Sequence, residues 1–224
     1  PALAVERTLL AQEWEPEVPL TEAPHGKQTW YSSQSGLWRS VTLERIGERW
    51  LDAVRFLPHL PDEAVEVRWE IRSSASTPGD LRLRIDLEDP DGVTLPAVIL
   101  DVDDTHGAGG VRLPVPDPVT WSPDAPRRYR GTVTLIEDGE DRDTVEARFG
   151  MRSIAVRDGR ILLNGEPFHM RGALDQDLYP DTISGAPSRA YLEDQLRQAK
   201  ELGLNLIRYH IKSPDPAYAE LADE

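Results

Sequence analysis

The chain has no cysteine among its 224 residues. That removes thiolate nucleophiles, cysteine metal sites and disulfides from consideration within it. No apolar run approaches the roughly 20 residues that a membrane-spanning helix needs. The first residues, Pro1 to Arg7, show no basic-then-apolar leader pattern. Positive charge is also scarce, with 25 Lys and Arg against 40 Asp and Glu and a formal net charge of −15. Such a surface repels phosphate backbones and anionic lipid, so neither nucleic acid nor a membrane is expected as a partner. Nothing in the sequence separates a cytoplasmic location from a secreted one.

What is present is, first, the period of an antiparallel sandwich. Val65, Val67, Trp69 and Ile71 alternate with Glu66, Arg68, Glu70 and Arg72, which gives one apolar face and one charged face. Leu81, Leu83, Ile85 and Leu87 repeat the pattern against Arg82, Arg84, Asp86 and Glu88. Turn clusters at Ser73–Asp80 and Pro90-Asp91-Gly92 separate the runs. Further strands are expected at Ala97–Leu100, Val111–Val115, Arg128–Ile136 and Thr144–Arg152, with Tyr129, Gly131, Val133 and Leu135 sharing a face. Short strands at regular intervals without helical periodicity point to an immunoglobulin-like β-sandwich, here without its usual cysteine pair. Its expected extent is residues 47–156.

The flanks read differently. Residues 1–46 are too few for a domain, and Leu37 to Glu44 reads as one terminal strand of a β-domain, behind a polar and aromatic loop that contains Trp30 and Tyr31. From residue 157 the periodicity changes. Asn164-Gly165 is a two-residue hairpin signal, since both residues tolerate positive φ. Ser188 is placed as an N-cap. Leu192, Leu196, Ala199 and Leu202 then mark one helix face, and Gly203 ends the helix. Leu204 to Arg208 is apolar without alternation, the pattern of a parallel strand covered on both faces. Asp215-Pro216 opens a second helix. Strand, helix, strand, helix is the right-handed parallel unit from which a (β/α)8 barrel is built. A complete barrel takes about 200 to 250 residues, so residues 157–224 are expected to be only its truncated start.

Three segments taken together resemble glycoside hydrolase family 2. Lys27 to Tyr31 with Ser35 to Glu44 is similar to the last strand of that family's jelly-roll sugar-binding domain. Trp121-Ser122-Pro123-Asp124 before the Tyr129 strand, then Phe149-Gly150-Met151-Arg152, resembles the end of its immunoglobulin-like domain. Asn164-Gly165, Arg171-Gly172 and Gly203 to Arg208 resemble the first two strands of its catalytic barrel. The three occur in the family's order and span nearly the whole chain.

The resemblance implies a parent enzyme, β-galactosidase-like or β-glucuronidase-like, that hydrolyses O-glycosidic bonds with retention. It implies a carbohydrate substrate and no cofactor, and leaves room for a homo-oligomer. Retention needs two carboxyls about 5 to 5.5 Å apart, a nucleophile and an acid. In the family these are glutamates on later barrel strands, so no catalytic residue is expected within this chain and the chain alone should be inactive. Arg208 would orient the nucleophile and hold it ionised. His210 after strand two, and Asp175, Gln176 and Asp177 after strand one, could bond sugar hydroxyls, Asp175 and Gln176 foremost, while Trp30 and Tyr31 could stack on a sugar ring. Where the family's galactosidases and glucuronidases place histidines after strands one and two, this chain has Ala173 to Pro180 and Tyr209-His210-Ile211-Lys212, so galactose specificity does not carry over. No metal site is expected, because Asp101-Val102-Asp103-Asp104 lacks the glycine and distal glutamate of a calcium loop. The alternative is a non-catalytic immunoglobulin-like spacer or carbohydrate-binding module, which would not need the barrel start.

Overall fold

The computed structural model describes residues 41–76, 79–102, 107–179, 181–182, 185–210 and 213–224. Trp30 and Tyr31 lie outside the described residues, as does Leu37 to Ser40 of the expected first strand. The rest of that strand, within 41–47, carries no strand pairing, and Val41 and Leu43 are exposed.

The described chain is mainly β. Strands β1 (Arg49–His59), β2 (Ala64–Ser73), β3 (Leu81–Glu88), β4 (Val98–Val102), β5 (Ala108–Pro114), β6 (Tyr129–Glu137) and β7 (Glu140–Phe149) form two open sheets. The first has the order β1-β2-β5 and the second β4-β3-β6-β7, with every neighbour antiparallel. The chain changes sheet between β2 and β3, and again on either side of β5. This is an immunoglobulin-type sandwich whose fourth strand pairs with β3.

The alternation seen in the sequence builds the core. Val65, Val67, Trp69 and Ile71 of β2 face Leu81, Leu83, Ile85 and Leu87 of β3, all buried in one cluster with Val133 and Leu135 of β6. Each such aliphatic side chain, fully buried, contributes on the order of 1.5–3 kcal/mol. Phe56 stacks on Phe149 with ring centroids 5.1 Å apart, and Tyr129 continues the stack at 5.4 Å. The Phe56 ring occupies the space a Cβ at Gly131 would need. Glycine is therefore required there by packing rather than by backbone angle. Tyr129 is buried, and its hydroxyl accepts the Val119 N–H at 2.9 Å. That is the corner by which this kind of sandwich pins the loop before its sixth strand.

Beyond the sandwich, β8 (Ile154–Arg157), β9 (Arg160–Leu163) and β10 (Glu166–Pro167) form a three-stranded meander. Its turns are Asp158-Gly159 and Asn164-Gly165, all four residues at positive φ. Next comes β11 (Gly172–Asp175), helix α1 (Arg189–Glu201), β12 (Leu206–Tyr209) and helix α2 (Pro216–Asp223). β11 and β12 pair in parallel. Ser188 caps α1 by accepting from Tyr191 N, and Asp215 caps α2 by accepting from Ala217 N, both at the expected positions. Leu202 lies just past the end of α1 and is exposed rather than part of its packed face.

Candidate functional site

The two parallel strands begin from a polar staple. Asn205 Oδ1 accepts the Arg171 N–H at 2.8 Å, and its Nδ2 donates to His169 O at 3.0 Å. Arg171 Nε donates to Gly203 O at 2.8 Å, in the turn just past the end of α1. These bonds fix the register, in which Gly172 faces Leu206, Leu174 faces Arg208 and Asp175 faces Tyr209.

Register and pleat sort the candidate residues onto opposite faces. Ile207 and Tyr209 pack with Leu192, Tyr179 and Tyr218 under the two helices. Asp175 shares that side, because its carboxylate is bonded from both helices. Leu174, Leu206 and Arg208 occupy the other side, where all three are exposed. The expectation that the apolar run at Leu204–Arg208 is covered on both faces is therefore corrected. Leu206 is 40% exposed, since only the helix side of the two-stranded sheet is covered among the described residues.

Arg208 sits one residue before the C-terminal end of β12, with no hydrogen bond or ion pair to another described residue. His210 follows β12, half-buried, and its N–H donates to Asp175 O at 2.9 Å. That bond ties the exits of the two strands together. Gln176 is half-buried in the loop that leaves β11. Thus Asp175, Gln176 and His210 come together at one end of the strand pair, with Arg208 beside them on the opposite face.

A carboxylate–phenol cluster lies behind these residues. Asp175 Oδ1 accepts the Asp177 N–H at 2.7 Å, and Oδ2 accepts Gln195 Nε2 at 2.6 Å and the Tyr218 hydroxyl at 3.3 Å. Asp177 is buried at φ +55°, and its Oδ1 accepts the Tyr179 hydroxyl at 2.5 Å. The Tyr209 and Tyr218 rings meet edge to face at 4.5 Å. Burial is the main cause that raises the pKa of Tyr179, Tyr209 and Tyr218 well above the ordinary phenol value. The second is the hydrogen bond to Asp177 for Tyr179, the neighbouring Tyr218 for Tyr209, and the Asp175 charge for Tyr218. Sequence reasoning missed Gln195, Tyr209 and Tyr218, and it grouped Asp177 with the candidates for sugar hydroxyls, whereas Asp177 is buried against Tyr179. Their spacing from Asp175 in the chain gives no sign of a shared cluster. A polar Gln195 beside the apolar positions Leu192, Leu196 and Ala199 was the one available signal.

A second junction ties the sandwich to α1 and α2. Trp121 N donates to Met151 O, and the Trp121 indole lies over Gly150 and under the Arg152 guanidinium, 4.8 Å from the ring centroid. Trp121 Nε1 donates to Asp223 O of α2 at 3.4 Å, and Lys200 Nζ of α1 donates to Pro123 O at 2.8 Å. The loop Trp121-Ser122-Pro123 thus touches the sandwich end and both helices.

Comparison with known proteins places this architecture. Residues 51–152 match the model of the glycosyl hydrolases family 2. A β-galactosidase of Thermoanaerobacter pseudethanolicus is 26% identical over 187 residues, covering 83% of this chain and 25% of the relative. A β-galactosidase of Lactococcus lactis is 24% identical over 204 residues, covering 88% of this chain and 19% of the relative. Among solved structures, apo β-glucuronidase 3 of Bacteroides uniformis superposes with a TM-score of 0.72 at 19% identity, over 87% of this chain and 24% of that one. The chain spans about a quarter or less of the length of these relatives. The sandwich strand order, the matched span and the relatives that align across its flanks agree in likening this chain to glycosyl hydrolase family 2.

Proposed function

We propose that this chain is part of a retaining β-glycosidase acting on a β-linked galactoside or glucuronide. In this reading residues 1–46 end a jelly-roll sugar-binding domain, 47–156 are the immunoglobulin-like sandwich, and 157–224 open the catalytic barrel. The observation that carries it is the placement of Arg208. Its guanidinium stands near the C-terminal end of a parallel strand, on the face turned away from the helices and without a partner among the described residues. In a closed (β/α)8 barrel that face lines the interior, and chemistry is done at the C-terminal ends of the strands.

The chemistry then follows from charge. A carboxylate attacking the anomeric carbon must stay ionised and aimed, and a planar guanidinium offers it a fixed fork of donors while favouring its charged form. A second carboxyl about 5 to 5.5 Å away protonates the leaving oxygen, then activates water to release the sugar. Both glutamates belong to later barrel strands, so the 224-residue chain alone is inactive. Gln176 and His210, beside Arg208 at the strand exits, are the candidates to bond sugar hydroxyls. Trp30 and Tyr31 are proposed to stack on the sugar from the jelly-roll side.

The test is the stereochemistry of hydrolysis. The full-length protein is given aryl β-galactosides and β-glucuronides, and the anomer formed first is read by proton NMR. Release of the β-anomer supports the reading, and release of the α-anomer or no turnover of either class rejects it.

A further inference from the structure

The carboxylate of Asp175 stands where a sugar-binding group would be sought, at the C-terminal end of β11, yet its bonds run elsewhere. It accepts from the backbone of its own exit loop, from Gln195 on α1 and from Tyr218 on α2. An ionised carboxylate has about four acceptor positions, and three are filled by donors from three different elements. The Asp177 N–H bond closes a tight side-chain turn and accompanies positive φ at Asp177, which is fully buried and bonded by Tyr179. The carbonyl of Asp175 holds the His210 N–H at the exit of β12. One residue therefore connects the two strand exits and both helices, from the face opposite to Arg208.

Resting on the glycosidase reading above, we infer that Asp175 is a positioning residue: its carboxylate fixes the β11 exit loop against α1 and α2, and so places Gln176 and His210 at the sugar site without touching the sugar itself. The acceptor character of the group is what matters. Asparagine at 175 turns an NH2 toward Gln195 and Tyr218, which donate to the aspartate and would both have to turn round to accept, or it gives up the bond from Asp177. Exchanging the pair, Asp175→Asn together with Gln195→Glu, restores one donor and one acceptor between strand and helix and keeps an oxygen for Asp177.

The experiment uses the full-length protein and whichever aryl β-glycoside it turns over. D175N is expected to lower kcat about tenfold to a hundredfold with KM changed less than threefold, since displacement of about 1 Å is enough for that loss. D175N/Q195E is expected to return kcat to within a few fold of wild type. A raised KM with kcat intact, or a double variant no better than D175N, overturns the inference in favour of direct sugar contact. If D175N does not fold, Tyr218→Phe takes its place, removing one donor and leaving the carboxylate. A several-fold fall in kcat at constant KM supports the inference there, and unchanged kcat overturns it. Hydrogen exchange separates this from failure of the glycosidase reading. In D175N the amides of Asp177 and His210 should lose protection and in the double variant regain it, whether or not the protein turns over any glycoside. Protection unchanged in D175N overturns the inference.

Discussion

Asn164 and Trp121, 43 residues apart, are joined by a hydrogen bond of 2.9 Å from the asparagine Nδ2 to the tryptophan carbonyl. The other side-chain atom, Oδ1, accepts the Ser153 N–H at 3.0 Å. Asn164 thus makes a tight turn at φ +52° and also bolts that turn to the loop at the end of the sandwich. The meander leading into β11 is held to the sandwich at this point.

Asn164→Gly separates the two jobs. Glycine keeps the turn, because it adopts positive φ without steric cost, and removes both side-chain bonds. It should lower stability by about 1–3 kcal/mol, the scale for leaving half-buried groups unpaired. Urea melts of wild type and variant check this, and an unchanged midpoint would show that the turn alone explains the asparagine.

The tyrosine cluster fixes a pH limit. Tyr179, Tyr209 and Tyr218 have raised pKa values in the folded state, mainly through burial. A raised pKa means the folded state holds the proton more tightly than the unfolded one. The contribution is therefore complete below the ordinary phenol value of about 10 and declines as pH rises above it. Stability of the βαβα region should be flat up to about pH 10 with respect to these groups and then fall. Ultraviolet titration followed together with circular dichroism should show their phenolates forming only as helix signal is lost. Phenolates from all three near pH 10 with the helices intact would contradict the burial.

Much of the sandwich was legible because period-2 alternation is a direct readout of a half-buried strand. Val65 to Ile71 and Leu81 to Leu87 face inward as their spacing requires. Strand β1 was not legible. A register shift between Leu51 and Ala53 breaks its alternation, and Pro58 sits within it. β8 was hidden for another reason: all four of its residues are exposed, so no buried face shapes its sequence. The caps Ser188 and Asp215 and the Asn164-Gly165 turn were readable because each rests on chemistry local to two or three residues. The face of Leu206 was misread, since coverage of a strand depends on its neighbours and not on its own composition. At the strand exits, Asp175 could be named from sequence, but not its partners. Gln195 and Tyr218 reach it from two helices, 20 and 43 residues away in the chain.

In the full-length protein, Arg208→Ala should cut catalysis far more than stability. The side chain is exposed and makes no bond to another described residue, so its removal leaves no buried group unpaired. Loss of aim at the nucleophile should lower kcat by about a hundredfold, with KM changing less. Arg208→Lys should not restore it, because an ammonium lacks the guanidinium fork. Steady-state kinetics with parallel thermal melts decide the matter. Wild-type kcat in the alanine variant, or a drop in Tm large enough to explain the lost rate, would remove Arg208 from the site.

The most direct measurement is turnover of aryl β-galactosides and β-glucuronides by two proteins side by side, the full-length protein and the 224-residue chain. Hydrolysis by the full-length protein, with none above the buffer blank from the chain, is the expected result. Turnover by the chain alone, or none by the full-length protein on either class of substrate, would contradict the assignment.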